Sequence, residues 1–199
     1  MLSGASGMLG SELSQALRQQ GDQVLRLVRR APVASDELRW DPVTGLLPEP
    51  GKLEGLGAAI HLSGANVASR RWTAAYKREM TESRVTTTRV LAEALAQLRT
   101  PPPVLISASA VGYYGDRGGE ILDEDAKVGT GFFPELCAAW EAATLPAEAA
   151  GIRVVPLRMA MVLGADGGAL GAQPRTGAAG AADHSRASGQ NRASDRSTI

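Results

Sequence analysis

Short runs of aliphatic and β-branched residues alternate along this chain with longer stretches whose apolar positions recur every three or four residues. That alternation predicts strands joined by crossover helices. The runs are Gln23–Arg29, Leu38–Trp40, Ala58–Leu62, Val104–Ala108 and Ile152–Leu157. Between them, Gly10–Gln20 is expected to be helical, with Leu13 and Leu17 four apart and Gly21 placed to end it. A longer helix is expected over about Thr73–Leu98, with Val85, Leu91, Leu95 and Leu98 on its apolar side and Pro101–Pro103 stopping it. A third is expected over about Pro134–Ala150, just before Gly151. Strand, helix, strand in this order predicts the α/β class, a doubly wound parallel sheet.

Candidate chemistry gathers where the predicted strands end. Gly4-Ala5-Ser6-Gly7-Met8-Leu9-Gly10 places three glycines at intervals of three and runs directly into a helical pattern. In such a turn Gly4 permits the tight bend, Gly7 lets the backbone approach a pyrophosphate, and Gly10 allows close helix packing. The phosphates then lie at the positive end of the helix, against backbone N–H groups. A plain small-residue turn is the alternative; the helix, glycine stop and strand that follow favour the nucleotide reading. The second strand ends in Val28-Arg29-Arg30. An acidic residue there would suit the ribose hydroxyls of NAD, whereas two guanidinium forks suit a 2′-phosphate, so Arg29 and Arg30 predict NADP. Their alternative is a pair of solvated surface arginines.

The next strand runs into His61-Leu62-Ser63-Gly64-Ala65, whose small side chains at a carboxyl edge would admit a cofactor. His61 itself, between Ile60 and Leu62, is read as buried structure. In Val104–Gly115 the hydroxyls of Ser107 and Ser109 emerge as the strand leaves the core, followed by Tyr113 and Tyr114. A serine at this edge can hydrogen-bond a substrate carbonyl or alcohol, and a tyrosine can exchange a proton with it. Alternatively, the tyrosines simply pack the loop.

Composition narrows the classes. The 199 residues fit one ordinary domain, and 21 basic against 21 acidic side chains leave no excess cation for nucleic acid or an anionic membrane. Aromatics are 4% while hydrophobic residues are 44%, so the expected core is aliphatic. The single cysteine, Cys137, has no disulfide partner, and the first fifteen residues carry no basic side chain; together these predict a reduced, cytoplasmic protein.

Both ends depart from the pattern. Only Met1, Leu2 and Ser3 precede Gly4 to form a strand expected at the centre of the sheet. A strand shortened by about five buried aliphatic residues forgoes ~1.5–3 kcal/mol for each, comparable to the ~5–15 kcal/mol stability of a domain. The expectation is therefore a start downstream of the true one. Ala172–Ile199 contain no Leu, Val, Met, Phe, Tyr or Trp and are built chiefly of Ala, Gly, Ser and Arg. They are expected to be a disordered tail, the truncated or out-of-frame end of a longer protein, with 1–171 as the nucleotide-binding domain. His184, within that tail, is set aside as a catalyst.

Taken together, the glycine turn, His61–Asn66, Arg70-Arg71-Trp72, Ser83-Arg84 with Thr88, Ser107–Gly115, Trp140-Glu141 and Leu157-Arg158 through Val162-Leu163-Gly164 resemble the extended short-chain dehydrogenase/reductase superfamily. Within it, residues 1–171 look like the NAD(P)-dependent epimerases and dehydratases, in particular an epimerase-like branch of sugar-nucleotide epimerase homologues. The resemblance implies a Rossmann domain whose cofactor pocket includes Arg29, Arg30, Leu62, Ser63, Glu79, Arg84 and Met161, and it matches Ser109 to the superfamily's catalytic serine. The superfamily's Tyr-x-x-x-Lys pair falls here on Phe133 and Cys137, which carry neither a phenol nor an ammonium. Tyr113 or Tyr114 could then replace the phenol and Arg84 the cation. The implied function is an NADP(H)-binding oxidoreductase acting on a small alcohol or carbonyl. The alternative is a non-catalytic NADP sensor. A homodimer is compatible with such a fold, and nothing in the sequence requires one.

Overall fold

The computed structural model describes residues 1–162, apart from 46, 48 and 68. Six parallel strands form one sheet: β1 (Leu2–Ser3), β2 (Arg26–Val28), β3 (Glu37–Arg39), β4 (Ala59–His61), β5 (Val104–Ala110) and β6 (Arg153–Met159). Their spatial order is β3-β2-β1-β4-β5-β6. The chain steps outward from β1 to β3, then returns to the far side of β1 and steps outward again. This is the doubly wound arrangement, with its reversal between β1 and β4. The crossovers contain α1 (Met8–Gln19), α2 (Ala74–Ala96), α3 (Phe132–Ala142) and α4 (Leu145–Ala149), with 3-10 turns at Pro50–Leu53 and Val111–Tyr114.

Leu27, Leu38 and Leu105 belong to one buried cluster, into which α2 sends Leu91, Ala92 and Leu95. Leu91 and Leu95 are four apart, so they present one face. Thr73 caps α2 by accepting the Tyr76 N–H at 3.2 Å. Leu2 is fully buried, pairing with Arg26 on one side and Ile60 on the other, and the Met1 ammonium donates to the Ala58 carbonyl at 2.8 Å.

Two expectations about elements are corrected. The helix expected over Pro134–Ala150 is two, α3 and α4, broken at Ala143 and Thr144. Pro146 is the cause: it has no N–H to give the preceding turn, so it can only stand in the first turn of a new helix. The strand expected over Gln23–Arg29 is only Arg26–Val28, because β1 offers two residues and β3 three for pairing. The expectations for Leu163, Gly164 and residues 172–199 lie outside the described residues.

At the reversal, Ser3 and His61 face each other across β1 and β4 with Oγ and Nδ1 2.6 Å apart. The Trp40 ring meets the imidazole edge-on. His61 is fully buried, as expected from its place in the strand, and burial pushes its pKa from 6.5 down to about 4. The unfolded chain therefore binds the extra proton first, so the stability due to a neutral His61 is complete above 6.5 and is lost as pH falls toward 4. Glu37 adds a lower window. Its carboxyl is held at about 2, chiefly by hydrogen bonds from Arg30, so its contribution is present above 4.5 and is lost as pH falls toward 2. The urea midpoint should thus decline in two stages on acidification, and His61→Gln should remove only the upper stage.

Candidate functional site

Because the sheet is parallel, the chain leaves every strand at the same edge, and the candidate residues follow those exits. After β1, Gly4 adopts φ +72°. A Cβ there would lie 2.7 Å from the Leu62 carbonyl carbon, so the exits of β1 and β4 touch. A Cβ on Gly10 would lie 2.2 Å from the Gly4 oxygen and 2.7 Å from the Ala5 Cα, which shows α1 packed against the turn itself. Gly7 differs: it is exposed, and its Cβ would meet only the Gly4 oxygen at 3.4 Å. Ser6 is exposed and Ala5 half-buried, while Met8 and Leu9 begin α1, whose first turn carries no acidic side chain and no side-chain cap.

After β2 the two arginines part. Arg30 forms a fork-to-fork pair with Glu37, at 2.7 and 2.6 Å, and also donates to the Ala31 carbonyl. The Glu37 side chain is 1% exposed and accepts the Val33 N–H as well. Arg29 is exposed and has no ion-pair partner among the described residues. The paired reading thus divides into one anchored guanidinium and one open to a ligand. Glu37, which holds the anchored one, was missed in the sequence.

After β4, Leu62 and Ser63 are half-buried and Gly64 is exposed. A Cβ on Gly64 would lie 3.2 Å from the Arg84 Cζ. Arg84, on α2, donates to the Ala65 and Met80 carbonyls at 2.9 and 3.1 Å and lies 5.2 Å from the Trp140 ring centroid. Burial lowers its pKa, and no carboxylate among the described residues compensates it.

After β5, Ser109 is buried and donates to Glu141 of α3 at 2.5 Å. Glu141 accepts two hydrogen bonds from Arg158 of β6, both 2.9 Å. Arg158 also donates to the Tyr114 hydroxyl and the Glu124 carbonyl, each at 3.0 Å, and stacks on the Tyr113 ring at 3.6 Å. Ser109, Tyr113 and Tyr114 are thereby tied together through Glu141 and Arg158. Phe133 and Cys137 do share one face of α3: a Cβ on Gly112 would be 3.4 Å from the Phe133 Cβ and 3.7 Å from the Cys137 Sγ. Burial raises the Cys137 thiol pKa.

Two expected site residues are not brought to this edge. Ser107 is buried one row inside it, opposite His61 and Pro156. Glu79 stands on the solvent side of α2, 3.4 Å from Arg70; five residues from Arg84 is about 140° round a helix. Met161 does follow β6 at this edge, where it is 73% exposed.

Beyond Gly112 lies a cavity of about 470 Å³ that includes Trp72, Lys77, Asp116, Thr130, Phe132 and Phe133 in its wall. From the glycine turn, contacts run through Leu62, Gly64, Arg84, Cys137 and Gly112 to Phe133 and this cavity. The crevice along these residues therefore ends at a pocket. Among the described residues, no group of three or more His, Cys, Asp or Glu is placed to hold a metal, and no helix is long and apolar enough to cross a membrane.

The sequence and the fold match known proteins. The chain is 46% identical over 169 residues to the epimerase family protein Mb2239 of Mycobacterium bovis, covering 85% of this chain and 55% of that protein. The chain thus spans about half the length of the curated relatives it matches. The nucleoside-diphosphate sugar epimerase of Corynebacterium glutamicum superposes with a TM-score of 0.73 at 38% identity, covering 85% of this chain and 35% of that one. The human epimerase family protein SDR39U1, solved with NADPH, also gives 0.73, at 32% identity over 85% of this chain and 56% of that one. With residues 1–176 matching the family as a whole, this chain belongs to the NAD dependent epimerase/dehydratase family.

Proposed function

We propose that this chain binds NADP(H) along the crevice and acts as an oxidoreductase on a small alcohol or carbonyl. The observation that carries the reading is the cradle at its entrance. Gly4 and Gly10 leave no room for a Cβ, Gly7 is open, and Arg84 is a half-buried cation without a carboxylate. These features fit a dinucleotide diphosphate, which needs close backbone approach and positive charge. Arg29 would meet a 2′-phosphate, with Arg30 fixed beside it by Glu37. The NADPH in the human relative agrees with that preference. A bound nicotinamide supplies hydride exchange with a carbonyl or alcohol.

The chain's own residues would manage the proton. Tyr114 accepts its hydrogen bond from Arg158, which leaves its own O–H available to donate to a substrate oxygen. Tyr113, stacked on the same guanidinium, keeps that group in place. Ser109 donates its hydrogen bond to Glu141 and so acts as a positioning residue, steadying the carboxylate that orients Arg158. A second reading, a cofactor-binding module without turnover, is favoured by Phe133 and Cys137 at the positions where the superfamily carries Tyr and Lys.

NADPH oxidation across a panel of small ketones and aldehydes distinguishes the two. Turnover is expected, with Tyr114→Phe lowering kcat by about 10²–10⁴-fold at unchanged NADPH affinity. NADPH binding with no turnover of any carbonyl would establish the second reading instead.

A further inference from the structure

We infer that the cavity beside Phe133 takes a flat, largely apolar molecule bearing one carboxylate, and not a sugar nucleotide. This rests on the proposed function, in that the cavity is taken as the substrate end of the crevice. Its volume, about 470 Å³, suits a small molecule. One wall is aromatic: the Trp72 and Phe133 centroids are 4.8 Å apart at 72°, and those of Phe132 and Phe133 5.4 Å apart at 58°. Rings set at such angles offer faces and edges to another ring.

The polar side chains are few: Lys77, Asp116 and Thr130. Lys77 Nζ lies 4.9 Å from the Phe132 ring centroid, and no carboxylate among the described residues pairs with it. Lys77 and Arg84 are seven residues apart on α2, so they share a face and are displaced by about 10 Å along its axis. One helix face therefore presents two cations without carboxylates: one beside Gly64 at the entrance, the other inside the cavity. The second matches a single negative charge at the end of a ligand.

A sugar nucleotide fits this pocket poorly. Its diphosphate would bring two charges to the one ammonium in the wall. Each sugar hydroxyl turned toward Trp72, Phe132 or Phe133 would forgo a hydrogen-bond partner. A ring with a carboxylate meets the same wall without that loss.

Calorimetric titration of the chain with 2-naphthoate, 2-naphthalenemethanol and UDP-glucose, with and without NADPH, tests the inference. Naphthoate is expected to bind, the uncharged alcohol to bind more weakly, and UDP-glucose to leave naphthoate in place. Lys77→Met is expected to weaken naphthoate by about tenfold or more, Lys77→Arg to restore it, and neither to alter NADPH binding. Displacement by UDP-glucose, absence of naphthoate binding, or indifference to Lys77→Met would each overturn the inference. NADPH in the same samples separates the two ideas: its failure to bind defeats the cofactor reading, while the naphthoate result still decides the cavity.

Discussion

Gly7→Ala is expected to lower NADPH affinity by about a hundredfold or more while leaving the melting temperature almost unchanged. Gly7 has φ −79° and ψ 167°, a conformation alanine adopts freely, and its added Cβ meets only the Gly4 oxygen at 3.4 Å. The fold therefore tolerates the methyl group. A diphosphate seated on the first turn of α1 does not, because the methyl holds it away from the backbone N–H groups. Losing two charge-assisted hydrogen bonds, at about 1.5–3 kcal/mol each, accounts for a hundredfold or more. Gly10→Ala is the contrasting control. Its Cβ would fall 2.2 Å from the Gly4 oxygen, so α1 must move, and a loss of about 1–3 kcal/mol in stability should accompany the loss of binding. Titration calorimetry and thermal unfolding on both variants separate the effects. Normal NADPH affinity in Gly7→Ala would remove the diphosphate from this turn.

Glu141→Gln is expected to destabilise the chain by about 2–4 kcal/mol, the largest effect of any isosteric change at the site. Its carboxylate takes two hydrogen bonds from Arg158 and one from Ser109, joining α3, β5 and β6. The neutral amide leaves the Arg158 guanidinium without its counter-charge at 18% exposure, with one amide oxygen, Tyr114 and the Glu124 carbonyl still accepting and the amide NH2 turned against it. A fully buried pair broken this way costs about 3–5 kcal/mol, and the residual access of solvent lowers the figure. Turnover should fall with stability, because the guanidinium that orients Tyr114 is no longer held by a carboxylate. Ser109→Ala leaves the bidentate pair intact and should cost much less. Urea unfolding of the two variants measures the difference; equal effects would mean that the ion pair contributes no more than an exposed one.

The order of strands and helices was legible because α1, α2 and the β5 run carry long, consistent patterns. The glycine turn was legible because its spacing serves both the bend and the helix that follows. The break between α3 and α4 was also written in the sequence, as Pro146, but the apolar pattern on either side masked it. Arg30 could not be separated from Arg29 by inspection. Its capture by Glu37 depends on β2 and β3 pairing with Arg26 opposite Glu37, a matter of strand register. The Ser109, Glu141 and Arg158 network joins residues 32 and 17 positions apart, and no local spacing announces it. Glu79 and Arg84, five residues apart, fall on different faces of α2. The cavity was not legible, because Trp72, Asp116 and Phe133 come from three separate segments that only the fold brings together.

The central claim is that this crevice holds a dinucleotide and that Arg29 selects its 2′-phosphate. Calorimetric titration of the unaltered chain with NADPH and NADH tests it most directly. The account predicts one equivalent of NADPH, bound more tightly than NADH by about tenfold or more, with Arg29→Ala erasing the preference. Failure of both nucleotides to bind, or equal affinities that Arg29→Ala leaves unchanged, would contradict it.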